Sequence, residues 1–211
     1  MNIFYSLDSL GVLDARYFTQ VLSRKLFGVK FGWEYFSNFG MDGVCAAIGD
    51  SNVPLFLDLK ICDASETVYK TIKNIVEIAN PDYLTLKLTG DYKMLEYAKK
   101  AISDACCLNN YNPTKLIGSI DIPYFGRDLG NVLDLASFAH NHKLDGVLCI
   151  PKHIEYLRNT IEDLDFYIAS TLNTFCLGNN EDNNLSYADF IIINNNLTID
   201  DDPNMLAGSL F

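Results

Sequence analysis

The stretch PLFLDLKICDASETVYKTIKNIVEIANPDYLTLKL, from Pro54 to Leu88, spells out one complete structural unit. It opens on a short apolar run, Pro54 to Leu59. Val68, Ile72, Ile75, Val76 and Ala79 then recur at helical period on one face, and Asn80-Pro81 stops the helix, because the residue before a proline is pushed out of the α region. A second apolar run, Tyr83 to Leu88, follows at once. Strand, helix and strand in this order predict a parallel βαβ unit.

The same grammar extends both ways along the chain. Apolar runs recur at Asn2 to Leu7, Gly28 to Phe31, Lys115 to Ile120, Gly146 to Ile150, Phe166 to Ala169 and Asp189 to Ile193, which with the two above makes eight candidate strands. Further helical faces are marked by Met94, Leu95, Ala98 and Ile102, and by Val132, Leu133, Ala136 and Ala139. Eight βα units predict an α/β fold of the closed (β/α)8 TIM-barrel type over residues 1–211 as a single domain, and the Gly-rich dinucleotide turn of the open fold is missing after the first strand, which reads SLDSLGVLDAR. One unit is defective. From Ser170 to Tyr187 the chain reads STLNTFCLGNNEDNNLSY, too polar to supply a full helix, so a loop is expected there and the seventh helix should be shortened or missing.

Composition narrows the partners. The chain has 211 residues, 49% of them hydrophobic, enough for a substantial core without metal or disulfide staples. With 16 Lys+Arg against 27 Asp+Glu the net charge is -11, which argues against nucleic acid and anionic membranes as partners. The start, MNIFYSLDSL, lacks the features of a signal peptide and no run approaches a membrane span, so a cytoplasmic location is expected. The six cysteines contain no C-x-x-C and are expected to be reduced and mostly buried. His140 and His142 read as a solvated helix end and His153 as a surface helix start, so no metal site is expected.

The charged residues of the strand ends point to a site. In Leu57-Asp58-Leu59-Lys60-Ile61-Cys62-Asp63, side chains alternate, so Leu57, Leu59 and Ile61 face the helices while Asp58 and Lys60 face the barrel interior. Lys30 ends the second strand and Asp8 follows the first. Barrel interiors are packed with apolar residues and active sites lie at the C-terminal strand ends, so inward charges at three successive ends mark a functional mouth.

These residues resemble a known family. LDLKICDASETV is similar to the D-x-K-x-x-D signature of orotidine 5'-phosphate decarboxylases, VKFGWEYFSNFG resembles their strand-two Lys-x-Gly segment, and YSLD their strand-one Asp. ADFIIINNNLTIDDDP resembles a degraded form of their eighth-strand phosphate segment. The resemblance implies cofactor-free decarboxylation of orotidine 5'-monophosphate to UMP in pyrimidine biosynthesis, with Lys30, Asp58, Lys60 and Asp63 as the catalytic charged array. In this array Lys60 protonates the product carbon and Lys30 holds Asp58 ionised. It further implies that Asp8, Thr67, Asn194 and Asn195 bind substrate, and that Asp63 and Thr67 reach into the neighbouring subunit's site in a homodimer.

The phosphate-gripping Gly-Arg pair of that family is replaced by Asn194 and Asn195, and the loop after strand five, Ile122 to Gly126, lacks the usual hydroxyl pair. Arg127 is a candidate substitute cation. Two other functions therefore stay open: a catalytically impaired barrel that serves as a binding protein, and a Mg²⁺-dependent decarboxylase like those acting on keto-gulonate phosphate, which share D-x-K-x-x-D but carry Glu in place of Lys30.

Overall fold

The structure is a computed structural model and describes residues 2–22, 27–88, 91–120, 129–173 and 182–194. Its strands are β1 (Asn2–Ser6), β2 (Gly28–Gly32), β3 (Leu55–Ile61), β4 (Tyr83–Lys87), β5 (Lys115–Ser119), β6 (Gly146–Cys149), β7 (Tyr167–Asn173) and β8 (Phe190–Asn194). The helices between them are α1 (Val12–Leu22), α2 (Trp33–Ile48), α3 (Ser65–Ala79), α4 (Tyr92–Asn109), α5 (Leu129–Asn141) and α6 (Ile154–Thr160). All strand pairs are parallel, and β8 closes on β1 from Asn2↔Phe190 to Tyr5↔Ile193, giving a closed barrel in sequence order.

Two apolar layers follow from the alternation of side chains along each strand. The outward residues, among them Leu57, Leu59 and Ile61, join Val68, Ile72, Ile75 and Val76 of α3 and Met94, Leu95, Ala98 and Ile102 of α4 in one core. Ala79 and Leu133 pack at its edge. Asn80 ends α3 in the left-handed conformation, donating its N–H to the Val76 carbonyl. The inward residues form a second cluster, Phe4, Phe56, Tyr83, Ile117, Leu148, Ala169, Phe190 and Ile192. Phe4 and Phe56 meet edge to face with ring centroids 5.3 Å apart, as do Tyr83 and Phe190 at 4.9 Å, while Phe56 and Tyr83 stack at 5.6 Å. This packing closes the N-terminal end of the barrel. Phe4 leans into the space over Gly28, where an added Cβ would come within 2.3 Å of its ring, so glycine is required there.

An aspartate immediately before each of β4, β6 and β8 ties the floor together. Asp82 Oδ2 accepts from Leu55 N at 2.8 Å, Asp145 Oδ2 from Leu116 N at 2.8 Å, and Asp189 Oδ2 from Ile168 N at 2.7 Å. Each precedes one strand and caps its neighbour, satisfying an amide at the edge of the ladder. Burial raises the Asp145 carboxyl above its ordinary value despite this hydrogen bond.

The seventh unit differs from the sequence expectation in one respect. Ser170 to Asn173, expected as loop, continue β7, because they pair in register with Ile191 to Asn194 of β8. Among the described residues no α-helix lies between β7 and β8; a 3-10 turn, Asp182–Tyr187, precedes β8, and residues 174–181 lie outside the described residues. Arg158 of α6 spans the gap. Its guanidinium pairs with the Asp189 carboxylate and donates to the carbonyls of Phe166 at 3.3 Å and Tyr187 at 3.4 Å.

Two surface expectations need correction. Cys106 and Cys149 are buried and Cys45 half-buried, but Cys62 and Cys107 are exposed. His153 is buried at the end of a 3-10 turn, Pro151–His153, that leads into α6, rather than on the surface, because Ile154 and Leu157 of the first turn of α6 face the core beside it. Burial, with Lys152 adding to it, pushes its imidazole below the ordinary value. His140 pairs with Asp163 at 2.9 Å.

Candidate active site

Above the aromatic floor the inward positions turn polar. Lys30 lies two residues beyond Gly28, Asp58 two beyond Phe56, Thr85 two beyond Tyr83 and Ser119 two beyond Ile117. The two-residue period therefore brings them onto the lumen one layer nearer the C-terminal mouth.

The charges form two pairs. Lys30 Nζ lies 2.5 Å from Asp8 Oδ2, and Asp8 Oδ1 accepts from Gly32 N at 2.5 Å. Lys60 Nζ lies 2.8 Å from Asp58 Oδ2, while Asp58 Oδ1 accepts from the Thr85 hydroxyl at 2.9 Å. Lys30 and Asp58 are only 4% and 6% exposed, whereas the Lys60 side chain is half-open to the mouth. Lys30 thus faces Asp8, not Asp58 as the resemblance implied, and the carboxylate of Asp58 is held by Lys60 and Thr85 instead. The reason is local: Asp8 follows β1, which pairs with β2 up to Ser6↔Lys30, so the strand-two lysine finds the strand-one carboxylate first.

Glycine 32 is needed for this packing. An added Cβ would stand 2.9 Å from Asp8 Oδ2 and 3.3 Å from Lys30 Nζ. Lys60 itself has φ of 45°, which for a side chain of this size costs about 1–3 kcal/mol. The β3–β4 register shifts between Leu57 and Ile61, so the ladder is irregular across Lys60, one residue before β3 ends.

The other expected residues are dispersed. Asp63 and Thr67 are exposed, Asp63 accepting from Ala64 N at 2.6 Å, and neither joins the pairs within this chain. Both line a groove of about 360 Å³ with Trp33, Phe36, Met41 and Ile78. Asn194 ends β8 with its Oδ1 buried and without a hydrogen-bond partner. Asn195, Arg127 and the segment from Ile122 to Gly126 lie outside the described residues.

Three mouth residues escaped the sequence reading. Thr85, Lys87 and Ser119 are lumenal by the same alternation that selected Asp58 and Lys60, and Lys87 is in register with Ser119, whose Oγ is buried without a partner. The signal was the shared parity of Tyr83, Thr85 and Lys87; a threonine and a serine in an apolar strand carry no charge to draw attention to it.

A magnesium ion does not fit this donor set. Both lumenal carboxylates already face a lysine ammonium, and among the described residues no three His, Cys, Asp or Glu side chains come together as ligands. No described helix is long and apolar enough to cross a membrane.

A family model described as the orotidine 5'-phosphate decarboxylase / HUMPS family matches residues 1–170. The chain belongs to this family. A relative from Ehrlichia chaffeensis named orotidine 5'-phosphate decarboxylase is 29% identical over 220 residues, covering 95% of this chain and 91% of its own length. One of the same name from Rhodospirillum rubrum is 30% identical over 179 residues, covering 80% of this chain and 72% of its own. Among solved structures, the orotidine 5'-phosphate decarboxylase of Lactobacillus acidophilus superposes with a TM-score of 0.77 at 22% identity, covering 99% of this chain and 96% of that one. That of Methanocaldococcus jannaschii, complexed with inhibitor BMP, gives 0.75 at 18%, with coverages of 99% and 96%. At these identities the structural likeness speaks for the barrel alone; the family rests on the sequence matches.

Proposed function

We propose that the protein converts orotidine 5'-monophosphate to UMP and CO2 without a cofactor. The observation that carries this reading is the Asp58–Lys60 pair, 2.8 Å apart at the end of β3, beside the buried Lys30–Asp8 pair. In the reaction the bond from C6 of the pyrimidine to its carboxylate breaks heterolytically and CO2 leaves. The electron pair stays on C6, in the ring plane, where no neighbouring group can delocalise it. A fixed ammonium in a dry pocket stabilises that charge, and Lys60 then gives a proton to C6 and recovers one from water. Asp58 repels the substrate carboxylate more than it repels a transition state from which that charge is departing, which lowers the barrier. Asp8, anchored by Lys30 and Gly32, offers its remaining lone pairs to a ribose hydroxyl. Asn194, at the end of β8, is assigned to the substrate phosphate, together with Asn195, which follows it in the sequence.

A homodimer belongs to the same reading. Trp33 and Ile78 are 56% and 52% exposed beside Asp63 and Thr67, an apolar border that a second copy would cover while it received those two polar side chains.

Loss of orotidylate absorbance, followed with purified wild type beside Lys60→Ala, tests the reading. Turnover in the wild type that the variant abolishes is expected. A wild-type rate equal to that of the variant overturns it and leaves a barrel that binds without catalysing.

A further inference from the structure

Thr85 is fully buried in the middle of β4, on the wall that adjoins β3. Its Oγ1 accepts from Lys60 N at 2.8 Å and lies 2.9 Å from Asp58 Oδ1. A hydroxyl carries one hydrogen. Since a lone pair already receives the Lys60 amide, that hydrogen is directed to the carboxylate, and the polarity of the chain is fixed. The other carboxylate oxygen meets Lys60 Nζ at 2.8 Å. The links therefore close a ring from the Lys60 amide through Thr85 and Asp58 back to the Lys60 ammonium.

The bulge explains why a side chain is needed here. The β3–β4 ladder slips between Leu57 and Ile61, and Lys60 adopts φ of 45°, so its amide is served by a hydroxyl rather than by a carbonyl of β4. A β-branched residue in a strand has few rotamers, and one packed without solvent exposure has little room to leave its own. Valine would match the shape and satisfy neither partner. It would leave a half-buried amide and a buried carboxylate oxygen each short of one hydrogen bond.

From this geometry we propose that Thr85 is a positioning residue for decarboxylation, holding the Asp58 carboxylate and the Lys60 backbone in one fixed relation so that the ammonium meets the reacting carbon. The inference rests on the decarboxylase reading above and deepens it. Thr85 touches no substrate in this account; it acts through Asp58 and Lys60. Its removal is therefore felt in the chemical step more than in nucleotide binding, because the phosphate and ribose are held elsewhere on the rim.

The test compares wild type, Thr85→Val and Thr85→Ser, with Thr85→Ala replacing the valine variant should the latter lack a folded circular-dichroism spectrum. In the valine variant kcat is expected to fall about thirtyfold or more while KM and the Kd for UMP stay within about threefold, and serine, which keeps the hydroxyl, should return kcat to within about threefold of wild type. A valine variant with kcat within about threefold of wild type overturns the proposal, as does a serine variant that loses as much as valine, or a loss confined to KM. Amide hydrogen exchange at Lys60 separates this result from the decarboxylase reading. If the wild type releases no CO2, that reading falls, and the clamp is decided by exchange alone. Exchange about tenfold faster in Thr85→Val but not in Thr85→Ser supports it; equal protection in all three overturns it.

Discussion

Replacing Lys30 with methionine removes one ammonium from the lumen and keeps nearly the same volume, and its cost can be worked from the pair it breaks. Lys30 is 4% exposed and faces Asp8 at 2.5 Å; the Asp8 side chain is 17% exposed and also accepts from Gly32 N. Removing one partner of a fully buried pair costs about 3–5 kcal/mol. Here Asp8 keeps one backbone donor and some water, so the expected loss is smaller, about 1.5–3 kcal/mol, or roughly 4–10 °C in Tm for a chain of this size.

Asp8→Asn alone removes the charge and leaves Lys30 buried without its carboxylate, a loss expected to be of similar size. The double variant Asp8→Asn, Lys30→Met contains neither buried charge and is expected to return to within about 1 kcal/mol of wild type, or above it. Urea denaturation of the four proteins, followed by circular dichroism, gives the coupling, expected to be at least about 1.5 kcal/mol. All three variants should lose orotidylate turnover, whichever way their stability moves. Additive single losses with no coupling would show that the ion pair does not govern the stability of this wall. A Lys30→Met protein as stable as wild type would refute the desolvation argument itself.

Two further outcomes follow from other parts of the structure. Gly32→Ala places a Cβ 2.9 Å from Asp8 Oδ2 at a φ of -117° that alanine adopts freely, so kcat/KM should fall about tenfold to a hundredfold with little change in Tm; unchanged turnover would mean the pair yields without consequence. His153 is held below its ordinary value by burial, so its contribution to stability is present above that value and lost as pH falls through it toward the lower folded one. His153→Gln should accordingly flatten the stability curve between about pH 7 and 5, and a curve as steep as that of wild type counts against the assignment.

The barrel was legible because two periods alternate along most of the chain, broken only in the seventh unit. Pro54 to Leu88 could be parsed alone, and the helix stop at Asn80 appears as a left-handed cap. What escaped was whatever depends on a strand's exact end. Ser170 to Asn173 read as polar loop, yet they are strand, because partner residues on β8 supply a ladder that local composition does not announce. At the mouth, Asp8, Lys30, Asp58 and Lys60 stood out by charge. Their pairing did not: sequence alternation places Lys30 and Asp58 on one lumen, but register decides that Lys30 meets Asp8. Thr85 was invisible because threonine is at home in any strand, and only the bulge at Lys60 gives its hydroxyl two partners.

Aspartate serves opposite ends of this barrel in different ways, and the difference sorts function from fold. At the floor, Asp82, Asp145 and Asp189 each precede a strand and accept from a backbone amide of the neighbouring one; Asp189 also pairs with Arg158, but at Asp82 and Asp145 the arrangement needs only an oxygen in the right place. Asparagine could supply that oxygen, and where burial raises the carboxyl, as at Asp145, losing the charge even relieves a penalty. At the mouth, Asp8 and Asp58 each face a lysine, and a neutral amide there would leave an ammonium, buried at Lys30 and half-open at Lys60, without its counter-charge. The lumen thus runs from aromatic rings that exclude water to paired charges that gain strength from its exclusion. The packed floor is what allows the mouth to hold charge in a low dielectric, so substitutions that loosen the contacts of Phe4 with Phe56 and Phe190 should weaken catalysis without touching a charged residue.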